Sequence, residues 1–69
     1  MVTPYEAFTR GAIMARNLAK RCLDEAETAT TGRAFQLIAD YDRHIERAEW
    51  YEERAALYAP KHEQKDIAA

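Results

Sequence analysis

The sequence predicts an all-α protein, a two-helix antiparallel hairpin that dimerises into a four-helix bundle. Three observations predict it. Two long stretches, about 4–29 and about 33–59, carry apolar residues at alternating spacings of three and four, the heptad pattern of packed helices. A short segment rich in threonine, around 30–32, separates them. Folding the stretches back on each other about that segment sets large side chains against small ones, layer by layer.

The first helix begins at Pro4. The Thr3 hydroxyl can accept a backbone N–H, proline fits the first helical position where its missing donor has no partner to lose, and Glu6 stands three residues after the cap. Its seam is Tyr5, Phe8, Ala12, Ala15, Ala19, Cys22, Ala26 and Ala29. A seam made mostly of alanine lets a second helix approach closely, provided that helix supplies the missing volume. Thr28-Ala29-Thr30-Thr31-Gly32 then breaks the pattern, which predicts a tight turn with Thr30 or Thr31 capping the next helix. The second helix runs to about Ala59, where Pro60 stops it. Its seam is Ala34, Ile38, Tyr41, Ile45, Ala48, Glu52, Ala55 and Ala59, broadened on one flank by Leu37, His44, Tyr51 and Tyr58. Residues 60–69 are polar apart from Ile67, and a frayed tail is expected there.

An antiparallel fold about this turn pairs positions whose numbers sum to roughly 63. Phe8 then meets Ala55, Ala12 meets Tyr51, Ala19 meets His44, Cys22 meets Tyr41 and Ala26 meets Leu37. Met14 and Leu18 remain on one flank, with Tyr51 and Tyr58 on the matching flank of the second helix, and these four are expected at a homodimer interface. A chain of 69 residues is too short for a single core to outweigh chain entropy comfortably. With one cysteine it has no internal disulfide, and its histidines and cysteine share no metal-ligand spacing, so a second subunit is the expected staple.

Composition narrows the function. No stretch approaches the roughly 18 apolar residues of a membrane span, and the first residues lack the charged start and apolar core of a secretion signal, so the cytoplasm is the expected location. A net charge of −2 argues against general nucleic-acid binding, which draws on an excess of Lys and Arg. Helix-turn-helix readers use shorter helices crossing steeply, unlike these unbroken heptads. For catalysis the chain has no glycine-rich phosphate loop, no nucleophile elbow and no HExxH pair. His44 has Asp40 one turn before it, but no nucleophile or second acid stands at a matching position, and Cys22 reads as packing. The expectation is a protein that is not an enzyme and that takes no cofactor or metal.

The outer faces carry the candidate binding residues. Trp50 and Tyr51 are adjacent and so point about 100° apart on a helix. Tyr51 falls on the bundle flank, and Trp50 faces outward with Arg43, Arg47 and Arg54, edged by Ala39 and Leu57. Trp and Arg are enriched where binding energy concentrates, because each joins broad apolar area to a directional polar or cationic group. The competing reading is local: Arg54 stacks on Trp50 one turn away while Glu46 neutralises Arg43. On the first helix Ile13 sits among Arg10, Arg16, Asn17 and Lys20, a second candidate surface with a basic rim. Phe35, just after the turn, is read as capping the end of the bundle.

With its capped first helix VTPYEAFTRGAIMARNLAKRC, short TATTG turn and aromatic second helix IADYDRHIERAEWYEERAALYAP, the whole chain resembles the small temperate-phage proteins that inhibit their host's quorum sensing. The resemblance is one of length and architecture. It implies a dimeric helical anti-activator that binds a LuxR-type transcription activator and blocks its access to DNA, with the type IV pilus assembly ATPase as a further target. Two other classes fit a helical bundle of this size: a nucleic-acid-binding regulator, which would show a basic stripe across the dimer, and an inhibitor of a bacterial defence complex.

Overall fold

The structure, a computed structural model, describes residues 1–60. It contains two helices, α1 (Pro4–Ala26) and α2 (Thr31–Leu57), packed side by side as an antiparallel hairpin, with no strand among the described residues. The start of α1 is as expected. Thr3 is extended, and its hydroxyl oxygen accepts the Glu6 N–H at 3.1 Å while its carbonyl accepts that of Ala7 at 3.0 Å.

The turn falls about three residues earlier than predicted. α1 ends at Ala26 rather than 29, and α2 begins at Thr31 rather than 33. The last turn tightens into shorter-range bonds: the Thr28 and Ala29 amides donate to Glu25 and Ala26, and the Thr28 hydroxyl donates back to the Glu25 carbonyl at 3.5 Å. Thr30 is the N-cap of α2 by backbone, its carbonyl accepting the Ala34 N–H at 2.8 Å, but its hydroxyl makes no capping bond. Gly32 is therefore inside the first turn of α2, and no described glycine has a positive φ. At the other end α2 stops at Leu57, not 59. The Tyr58 and Ala59 amides close onto Ala55 and Ala56, and Pro60 disfavours helical geometry in the residue before it. Apart from Pro60, the expected frayed tail lies outside the described residues.

The core is the alanine seam. Ala12, Ala15 and Ala19 of α1 and Ala48 and Ala55 of α2 are buried, and Leu37 is the one large side chain buried with them among the described residues. Alanine on both sides brings the helix backbones close, and the shortest Cα dimension of the molecule is 14 Å, little more than one helix across. The predicted seam errs at the start of α2. Ile38 was expected inside and is 45% exposed, whereas Leu37, expected on the flank, is buried. Leu37 stands eleven residues before Ala48, three full turns of a straight helix, so an α2 that keeps 3.6 residues per turn departs from the seven-residue repeat there. Phe35, just after the turn, is 70% exposed on the single hairpin.

Candidate functional site

Four aromatic rings gather where the start of α1 meets the later half of α2. Phe8 is at the centre. It stacks on Tyr58 with ring centroids 5.7 Å apart and planes 16° from parallel, meets Trp50 edge-on at 5.9 Å, and lies 6.3 Å from Tyr51. Trp50 and Tyr51 are themselves edge to face at 5.3 Å. Offset-stacked and edge-to-face pairs are the arrangements that aromatic quadrupoles favour. Trp50 is thus not the isolated outward residue that helical geometry suggested: the residue is 47% exposed, yet its ring also packs against the opposite helix. Arg54 lies over the indole, its guanidinium 5.1 Å from the ring centroid, as the competing local reading required.

The remaining candidates divide by what already holds them. Arg43 pairs with Asp40 at 3.7 Å, not with Glu46, which also removes Asp40 as a dedicated partner for half-buried His44. Arg16 is engaged within the hairpin. Its Nε and Nη2 donate to the two carboxylate oxygens of Glu52 at 2.6 and 2.7 Å, a bidentate bridge between the helices in which Glu52, predicted on the seam, is exposed at its edge. These hydrogen bonds, with the charge attraction between the partners, raise the Arg16 pKa and lower that of Glu52 from their ordinary values. Arg47 has no ion-pair partner among the described residues. Leu57 and Ile13 are exposed, Ile13 beside a cleft of about 330 Å³ walled by Ala12, Ala55 and Ala56 and closed at one end by the Arg16–Glu52 pair.

On the flank expected to take a second copy, Met14, Leu18 and Tyr58 are exposed and Tyr51 is half-buried. Tyr51 lies flat on Gly11. A Cβ built at Gly11 would stand 3.0 Å from two ring carbons, so the glycine is what admits the ring. Sequence reasoning passed over Gly11, although a lone glycine inside a helical pattern is the usual signal of close approach. It also placed Arg16 in the solvent arc, because a pair 36 residues apart shows no local spacing.

Cys22 is a half-buried free thiol. Among the described residues no group of three His, Cys, Asp or Glu side chains is placed to hold a metal ion, and no helix is long and apolar enough to cross a membrane. No protein family, no curated protein and no solved structure matches this chain.

Proposed function

We propose that this protein is a small, non-enzymatic binding module that inhibits another protein by occupying its surface. The observation that supports the reading is the distribution of apolar side chains: the seam is filled by alanine, while Trp50, Tyr58, Met14 and Leu57 are left on the outside with arginines beside them. An apolar centre with an arginine rim is the composition of a binding hot spot. The resemblance to phage quorum-sensing inhibitors makes the target a LuxR-type activator, whose DNA binding the hairpin would block. A second copy belongs to the same proposal, because a layer one helix deep leaves two faces open to water.

The test is displacement of a purified LuxR-type activator from its operator DNA. The wild-type protein should release the DNA at stoichiometric amounts, and light scattering should give twice the 7.9 kDa chain mass. Trp50→Ala should weaken the effect by roughly thirtyfold, the equivalent of about 2 kcal/mol. Circular dichroism on the same sample separates folding from binding. A Trp50→Ala protein that folds and still displaces the activator normally would overturn the assignment of Trp50. A wild-type protein that never engages the activator would overturn the target.

A further inference from the structure

We infer that the flank carrying Met14, Leu18 and Tyr51 is a groove for an acidic amphipathic helix. This rests on the binding-module reading above and names the chemistry of what is bound.

Two shallow depressions run together along this flank. One, of about 220 Å³, is lined by Met14, Asn17, Leu18 and Arg21. The other, of about 110 Å³, is lined by Gly11, Met14, Ala15, Leu18, Arg47 and Tyr51. They share Met14 and Leu18, so they form one strip that runs from the outer face of α1 to the groove between the helices, with apolar side chains at its centre and an arginine on each side. Arg21 comes from α1 and Arg47 from α2.

Neither Arg21 nor Arg47 has an ion-pair partner among the described residues. Glu25, one turn beyond Arg21, pairs instead with Arg33, Asp24 makes no ion pair with Arg21, and no carboxylate stands three or four residues from Arg47 on its own helix. The chain is acidic as a whole, so a flank whose free charges are both positive is not a reflection of composition. An amphipathic helix laid along the strip would set its apolar stripe on Met14, Leu18 and Tyr51, and carboxylates on either side of that stripe would face one arginine each. Tyr51 is held flat by Gly11, so the floor of the strip is formed before anything binds.

Two other occupants fit less well. A second copy of this chain would bring two further unpaired arginines to a face that already has two, which costs free energy by like-charge approach. Nucleic acid would satisfy the arginines and leave the apolar centre without a counterpart.

The probe is a monomeric three-heptad peptide with leucine along one stripe and glutamate on both sides of it, labelled for fluorescence anisotropy. It should bind, and binding should weaken as salt is raised. Its counterpart with lysine for glutamate should not. Arg21→Glu and Arg47→Glu should each weaken binding about tenfold, and Met14→Asp at least as much, with circular dichroism unchanged because all three positions are exposed. The inference is overturned if the lysine peptide binds equally well. It is also overturned if duplex DNA competes for the same residues, or if Met14→Asp converts a dimer into a monomer and so reveals a second copy on this flank. If Trp50→Ala abolishes activator displacement while Arg21→Glu and Arg47→Glu leave it intact, the binding-module reading stands and this groove is removed from it.

Discussion

Ala48 is the position where the hairpin tolerates least. It is 0% exposed, and the Gly11–Tyr51 and Arg16–Glu52 contacts bracket it against the stretch of α1 that carries Ala15 and Ala19, themselves 3% and 1% exposed. Ala48→Leu adds three carbons where two backbones already approach across methyl groups. Overpacking of this kind costs typically about 1–3 kcal/mol, because the helices must separate or the side chain must leave its preferred rotamer. A domain this short has roughly 3–10 kcal/mol of total stability. Each kilocalorie is worth about 4–8 °C in melting temperature at this size, so a fall of about 5–20 °C is expected. The assay is thermal melting by circular dichroism at fixed protein concentration, since association would itself raise the midpoint. Ala39→Leu, an exposed change in the same helix, is the control and should melt near the parent. If Ala48→Leu melts at or above the parent temperature, the helices do not meet through their alanines and the packing argument fails.

Gly32→Ala should stabilise the protein by roughly 0.4–1 kcal/mol, because the residue is helical, has ordinary φ, and an added Cβ would meet nothing within 4 Å; a lower melting temperature would show that the turn needs the glycine after all. The Arg16–Glu52 bridge gives a pH signature. Pairing lowers the Glu52 pKa, so its contribution is present above the ordinary carboxylate range and disappears as pH falls through the folded-state value. Glu52→Gln should therefore melt slightly below wild type near neutral pH, the gap closing below about pH 4. A gap that is unchanged in acid would mean that the bridge contributes nothing in solution.

The helices, their antiparallel pairing and the alanine seam were legible because each is a repeated local pattern. Alanine at 12, 15 and 19 faces one way on any helix, and the Thr3-Pro4 start has a mechanism that depends on neighbours alone. The turn was legible only to within three residues: a threonine run and a glycine look like a turn wherever they stand, and α1 gives way to shorter-range bonds at Thr28 and Ala29 before the glycine is reached. Leu37 and Ile38 exchanged roles because a repeat of seven and a helix of 3.6 residues per turn drift apart over three turns. At the candidate site, the outward quadrant of Trp50 and its stacking on Arg54 followed from helical spacing. Its contact with Phe8 did not, because indole is long enough to reach around the helix, and spacing records the direction of a Cβ rather than the length of what it carries.

The rings around Phe8 also occupy a particular place along the hairpin. Phe8 and Tyr58 lie at the end remote from the turn, where the two helices are held together by no covalent link. An antiparallel pair joined at one end frays from the other, so this cluster is the clasp that keeps the open end shut. Backbone amides near Pro4 and Leu57 should exchange with solvent by local opening of that clasp, while those near Ala19 and Ala48 should wait for the whole hairpin to come apart. Any molecule that covers Trp50 and its neighbours would close the clasp and slow the first of these processes without touching the second, so occupancy at one end would be readable as a change in breathing along only part of the chain.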